Sequence, residues 1–474
     1  MTAKRSFKLE SPRNKSNKNI GGLVAGAFLG ASLLGTLSNV QTAFKSFDNQ
    51  FIIPQQSEIF ASSKYQPIVF GSAEKIKQQN FAEIDRIAKE LNYSGESINE
   101  LAKFLQQNAT TEAEKHRIIY AWITQHISYD MTSFNDAVYN DKYPDVDAPK
   151  VLRDRTTICS GYSNLYYALA EAMNLESAIV IGYAKGATPN DMERFQDVNH
   201  SWNAVKIDNE WYLLDATWGA GSIVEGQFSP EYKPYYFAIA PNKFINSHFP
   251  QDAGWQLLDR IYGRAEFDNL PTIRDRFYNL GIELVNRQNY QIEALSTVKI
   301  KLKAPQDIVA VATLKQNNRE LPESTVLVNR QDGNLVINVA PPAAGLYDLS
   351  IYAKPKEDIG QYGEIIKYKI NAKTLTAKLP KIYGHFNQHQ VSLIEPLQAD
   401  LRSNRSTYFN LVVPNAIDVQ VVNTATEKWI PLNGYGDTFV GNVDIEFGNT
   451  VVIAKFPDRD EYWKLIEYES VRDK

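Results

Sequence analysis

Apolar residues fall at helical spacing in the first half of this chain and alternate in the second. Phe81, Ile84, Ile87, Ala88 and Leu91 form one stripe, and Ile98, Leu101, Ala102 and Leu105 form another. Ile119, Trp122, Ile123 and Ile127 form a third, behind Thr111-Glu112-Ala113-Glu114, which suits a capping box. Leu165, Ala168, Leu169, Ala172 and Met173 form a fourth. Steps of three and four residues put each set on one face of a helix, so each stripe predicts a helix turned toward a core. After residue 265 a short helix over 273–284 is expected to lead into strands of period 2. Residues 297–302, 308–313 and 334–339 are examples, separated by Gly, Pro and Asn-Asp turns. The hairpin pattern of 347–354 and 365–370 returns at 451–456 and 465–470, an internal repeat. It predicts two β-sandwiches of immunoglobulin-like size, at 285–375 and 378–472.

Alternation also occurs among the helices, at 199–218. Residues 200–207 and 210–215 read as strands joined by a turn at Asp208-Asn209. If Ile207 pairs with Glu210, His200 opposes Thr217 and Trp202 opposes Asp215. His200 and Asp215 then share a face, one diagonal apart. A slip of one residue separates them. A carboxylate so placed orients an imidazole, and an oriented imidazole activates a thiol. The single cysteine, Cys159, stands where the fourth helix is expected to begin, behind an approach segment at 151–155. Unpaired N–H groups and the helix dipole favour a thiolate there. A lone cysteine is also a common small buried hydrophobe, and this stretch alone leaves both readings open. Gly161, lacking a side chain, lets a substrate backbone come close. Trp202 and Trp218 flank the hairpin and either line an acyl-donor groove or pack on the sheet face.

Three segments resemble the signature blocks of the transglutaminase-like superfamily. They are Cys159-Ser160-Gly161-Tyr162, His200-Ser201-Trp202-Asn203 and Trp211 through Trp218. The resemblance implies a papain-like core and a Cys-His-Asp triad, with Cys159 as nucleophile, His200 as general base and acid, and Asp215 as orienting group. The run Tyr235-Tyr236-Phe237-Ala238-Ile239-Ala240-Pro241, then Asn246-Ser247-His248-Phe249-Pro250 and Trp255-Gln256-Leu257-Leu258, is similar to the kyphoscoliosis-peptidase-like branch. That branch also carries C-terminal β-sandwich domains. The superfamily includes cross-linkers, proteases, deamidases and inactive binding modules, so the triad leaves the reaction open.

Composition narrows the picture. Length predicts about two to four domains. A net charge of −5 and the lack of a concentrated basic face argue against a nucleic-acid binder. One cysteine excludes an intramolecular disulfide and makes a cysteine-based zinc site improbable. His116 and His126, ten residues apart, do not form a metal pair, and His248 reads as a capping or packing residue. No metal and no cofactor are expected. The aspartate-rich stretch 136–147 reads as a loop beside the groove, with Asp141, Asp145 and Asp147 either solvated or holding calcium. The loop 185–199 reads as a potential lid. Residues 1–19 hold six basic residues against one acid, and residues 20–38 carry no charge. That suits a signal peptide or membrane anchor over 1–45, followed by a linker over 46–72. Gly22, Gly26 and Gly30 either permit close helix packing in lipid or fill a weak signal sequence.

The sequence thus predicts an α+β chain: a papain-like transglutaminase core over 73–265, then two immunoglobulin-like β-sandwich domains. It is expected to be exported or membrane-anchored, with the core on the extracytoplasmic side. The expected activity is on amide bonds of a peptide or protein substrate through a thioester, with hydrolysis favoured over transamidation. The alternative is a catalytically inactive envelope or protein-binding scaffold. Oligomeric state stays open.

Overall fold

The computed structural model describes residues 71–186, 198–224, 226–286, 289–374, 378–457 and 460–472. The segment 1–45, nearly all of the linker 46–72 and most of the loop 185–199 lie outside them. Among the described residues no helix is long and apolar enough to cross a membrane. The chain divides after Asp268 into two units.

After a short helix over Ala73–Lys77, the first unit has the striped helices α1 (Ala82–Glu90), α2 (Ile98–Gln106) and α3 (Glu112–His126). The capping box at the start of α3 closes in both directions: Glu114 N–H donates to Thr111 Oγ1 at 3.1 Å, and Thr111 N–H to Glu114 Oε2 at 3.1 Å. The stripe on α3 understates its burial, because every residue from His116 to Thr124 is buried. A helix enclosed on all sides must satisfy its polar side chains internally. His116 does so through Tyr166 Oη at 3.0 Å and the Lys206 carbonyl at 3.2 Å. Arg117 forks onto both oxygens of Asp85, each at 2.7 Å.

After α3 come β1 (Ser128–Tyr129), α4 (Ala148–Asp154), β2 (Thr156–Thr157) and α5 (Cys159–Ala172). Two local expectations are corrected here. Asp130 caps a helix over Met131–Asn140, so the aspartate-rich stretch begins helical and turns to loop only at Asp141, where φ is 53°. The approach segment is the helix α4, which Pro149 starts at its first turn. Next come β3 (Ser177–Ala184), β4 (His200–Ile207), β5 (Glu210–Leu214), α6 (Ala216–Ala220), β6 (Gly221–Val224), β7 (Gln227–Pro230), α7 (Pro241–Phe244) and β8 (His248–Pro250). Strands β5, β4, β3 and β8 form an antiparallel sheet in that order. Ile207 pairs with Glu210. Asp208 and Asn209 adopt φ of 50° and 66°, the left-handed pair that a two-residue hairpin turn needs.

The second unit contains two β-sandwiches of one topology. In the first, Glu283–Leu284, Val298–Lys303, Asn334–Val339 and Val326–Gln331 form one sheet in that order. Gln291–Ala294, Gly363–Ala372, Gly345–Pro355, Ile308–Gln316 and Arg319–Glu320 form the other. The second sandwich repeats the plan, with Tyr462–Val471 and Thr450–Lys455 as its long hairpin. In both, the last strand of that hairpin also takes a short antiparallel strand and a parallel one. Both hairpins shift register mid-strand, at Ile351/Tyr352 and at Val452/Ile453. The first sandwich starts earlier than residue 285, because Thr272–Ile273 pairs with Ile366 and Lys367. The expected helix over 273–284 is only Asp275–Asn279, and Gly281, at φ 65°, turns the chain back into a strand. The Asn329 amide ties the two sandwiches together, donating to the Leu393 carbonyl at 2.8 Å and accepting from Leu393 N–H at 3.1 Å.

Candidate active site

Cys159 is the first residue of α5, after an extended N-cap at Ile158. Its N–H therefore lies in the turn that has no intrahelical acceptor. The short parallel pair β1–β2 fixes the approach, with Tyr129 opposite Thr157. Two buried polar contacts hold α5 to β4: Ser163 Oγ lies 2.9 Å from Ser201 Oγ, and Asn203 Nδ2 donates to the Ser163 carbonyl at 3.1 Å. They set the distance between the helix that starts with Cys159 and the strand that starts with His200. Asn199 fixes the near end of that strand: its side chain bonds both the N–H and the carbonyl of Ala184, at 2.7 and 3.1 Å.

Strand β5 ends at Leu214, so Asp215 leaves the ladder and caps α6. Its Oδ1 accepts from Trp218 N–H at 3.0 Å, and its own N–H donates to the Tyr236 carbonyl at 2.9 Å. Its Oδ2 lies 2.8 Å from His200 Nε2. The Cys159 side chain also acts on the His200 ring and favours its protonated form. The structure therefore brings Cys159, His200 and Asp215 together in a buried cluster in which Asp215 is fully enclosed.

The other named positions divide. Gly161 is buried, and a Cβ placed there would stand 1.9 Å from Thr157 Oγ1. The missing side chain makes room for Thr157, not for a substrate backbone. Trp202 is 1% exposed and packs edge-on against Phe244 and His248, so it is a sheet-face residue and not a groove wall. Trp218 is half-buried, with ring centroids 5.8 Å from His200 and 4.5 Å from His248. Asp145 bonds the Asp147 N–H at 3.0 Å, closing a local turn.

His248 is the residue the sequence reading missed. It is 1% exposed, and its Nε2 lies 3.0 Å from the same Asp215 Oδ2. Its segment shows no periodicity, and the resemblance of that segment to the kyphoscoliosis-peptidase-like branch gave the residue no role. Gly182 explains how it arrives. That residue pairs with His200 on one side and Pro250 on the other, and a Cβ there would lie 2.3 Å from the Phe249 carbonyl. Only glycine lets β4 and β8 close in on this part of β3.

The two imidazoles differ in charge. Burial works against protonation of His200, but Asp215 and the Cys159 side chain outweigh it and raise its pKa to about 10. Burial pushes His248 down to about 4, and its bond to Asp215 only partly offsets this. One carboxylate sustains one cation, and His200 has the second partner. Burial alone would raise Asp215, yet His200 and then His248 hold it well below the usual carboxylate range. Tyr129, half-buried beside the site, has its phenol pushed well above 10 by burial first and then by Cys159. His200, Asp215 and His248 also bring one ligand atom each within 4.8 Å of one another. The 2.8 and 3.0 Å separations to Asp215 are N–H···O distances. Tetrahedral ligands about 2.1 Å from a metal would stand about 3.4 Å apart.

Comparison with known families fits this geometry. Residues 99–216, which include Cys159, His200 and Asp215, match the transglutaminase-like superfamily. Residues 264–383 match the KY-like, immunoglobulin-like domain. The chain carries a transglutaminase-like core followed by a KY-like immunoglobulin-like domain. It is 30% identical to human kyphoscoliosis peptidase over 310 residues, 64% of this chain and 45% of that protein. The mouse kyphoscoliosis peptidase is 29% identical over 63% of this chain and 44% of its own length. Hillarin of Drosophila melanogaster is 26% identical over 61% and 38%. The chain thus spans less than half the length of each of these relatives. His248 lies outside the matched transglutaminase-like segment.

Proposed function

We propose that this transglutaminase-like protein is a cysteine-nucleophile enzyme acting on amide bonds of peptides or proteins. The observation that carries this reading is the His200 ring held by Asp215 Oδ2 at 2.8 Å, with the Cys159 side chain at a helix start acting on the same ring. The Cys159 thiolate attacks the amide carbonyl carbon, with the oxyanion toward the Cys159 N–H. The His200 imidazolium gives its proton to the leaving nitrogen as the C–N bond breaks, leaving a thioester. In hydrolysis, water then attacks; His200 takes its proton and returns it to the departing thiolate. A lysine amine in place of water gives transamidation, and hydrolysis is the favoured outcome.

Iodoacetamide labelling of the full chain across pH 4 to 9, with His200→Ala alongside, tests the pair directly. The expected result is rapid labelling well below pH 8 that His200→Ala abolishes. Where labelling is fast, hydroxylamine trapping on glutamine-containing and C-terminally amidated peptides tests acyl transfer, and Cys159→Ala should form no hydroxamate. Labelling that follows an ordinary thiol and ignores His200 would instead support a binding scaffold. The observation favouring that alternative is the 4% exposure of Cys159. We also propose export or membrane anchoring through residues 1–45, which rests on their charge pattern. A full-length chain found soluble in the cytoplasm would overturn it.

A further inference from the structure

Asp215 serves two histidines, and the proposed reaction uses one. Both Nε2 atoms converge on Oδ2, at 2.8 Å from His200 and 3.0 Å from His248. The far side of His248 is also fixed: Nδ1 lies 2.8 Å from Ser247 Oγ. That hydroxyl has one proton, and its alternative acceptor, the Phe244 carbonyl, is longer at 3.3 Å. A proton donated to Nδ1 leaves the His248 proton on Nε2, aimed at Asp215. Phe244 stacks on the ring at 3.9 Å, with Trp218 at 4.5 Å and Trp202 at 5.1 Å completing an apolar box.

We propose that His248 is a positioning residue for the Cys159–His200 pair, donating its Nε2–H to Asp215 and so holding that carboxylate ionised and aimed at His200. This rests on the function proposed above. A buried carboxylate needs donors in place of water. Asp215 has three: Trp218 N–H on Oδ1 and the two imidazoles on Oδ2. Without His248, Oδ2 keeps only the donor that must also respond to the thiol. Asp215 then takes up a proton at a higher pH. Once protonated, it no longer supports the His200 cation or the thiolate beside it.

The other titratable neighbours do not reproduce this effect. Asp215 also acts on the phenols of Tyr120, Tyr129 and Tyr162, each kept protonated chiefly by burial. Asp130 lies near Tyr129, and the Arg117–Asp85 pair near Tyr120. His248 itself feels Asp215 and, as a like charge, His200.

The test is iodoacetamide labelling of Cys159 in the full chain against pH, in His248→Phe and His248→Gln. Phenylalanine keeps the ring and removes the donor, whereas glutamine restores an N–H near Nε2. His248→Phe should label about tenfold slower than the parent at pH 5 and nearly as fast at pH 8.5, with His248→Gln close to the parent at both. A purely structural residue would lose rate in both variants at every pH. That result, or a His248→Phe profile superimposed on the parent, overturns the proposal. Should His248→Phe fail to fold, ¹⁵N-histidine NMR of the unaltered chain decides: an Nε2–H tautomer that persists from pH 5 to 9 is expected. An Nδ1–H tautomer, or titration of His248 in that range, overturns the proposal. If parent labelling ignores His200, the enzyme assignment falls and this proposal with it. Dependence on His200 without dependence on His248 overturns this proposal alone.

Discussion

The two units bury polar groups in different ways. In the first, His116, Arg117, His200, Asp215 and His248 are all buried. In the second, the buried polar residues among those described are Thr272, Thr325, Asn329, Asn338, Ser350, Ser392, Ser403, Gln420, Asn423 and Thr450, none of which carries charge. Each unit closes around apolar clusters. A buried charge costs several kcal/mol unless paired, so an apolar core would be the cheaper way to fold. The second unit takes that route and uses amides and hydroxyls to join strands, as Asn329 does with Leu393. The first unit keeps buried charge in the Arg117–Asp85 pair and at the candidate site. At the candidate site the polar groups are linked in series, from Ser247 through His248 and Asp215 to His200.

The comparison breaks if the two kinds of buried polar group prove equivalent. Asp215→Ala strands two imidazoles and should cost about 3–5 kcal/mol in urea unfolding. It should also slow Cys159 labelling. Asn329→Ala leaves one N–H and one carbonyl unmet and should cost about 1–3 kcal/mol, with labelling unchanged. Equal costs, or labelling that responds to Asn329→Ala, would erase the distinction.

Acid sharpens it. His116 and His248 have folded pKa values of about 4 against the ordinary 6.5, both through burial. The folded state prefers them neutral, so their stability is complete above pH 6.5 and is lost as pH falls toward 4. His200, raised to about 10, runs the other way: its contribution is complete below 6.5 and is lost as pH rises toward 10. Between pH 7 and 5 the first unit should lose on the order of 2–4 kcal/mol while the second changes little. Hydrogen exchange resolved by unit measures both. Parallel losses would remove the buried histidines as the cause.

A further effect lies within the first unit. Gly161→Ala should cost about 1–3 kcal/mol through overlap with Thr157, and Thr157→Gly should recover part of it. A stable Gly161→Ala with impaired labelling would return Gly161 to the substrate side.

What the sequence determined by itself was local or repetitive. The stripe spacing located α1, α2, α3 and α5, and the period-2 runs with their repeat marked both sandwiches. Asp208-Asn209 could take left-handed backbone angles, which set the hairpin register and with it the closeness of His200 and Asp215. These features depend on residues near one another in the chain, so pattern and turn chemistry suffice to read them. Tertiary structure alone decided the rest. His248 stands 33 residues beyond Asp215, and it reaches the carboxylate only because β3 pairs with both β4 and β8 at Gly182. Gly161 was read for an open approach, and the packing of Thr157 gave it the opposite meaning. The parallel strands that join the edge of each sandwich carry no periodic mark of their partner. The charge state of each imidazole follows from which groups surround it after burial, and linear order does not encode that.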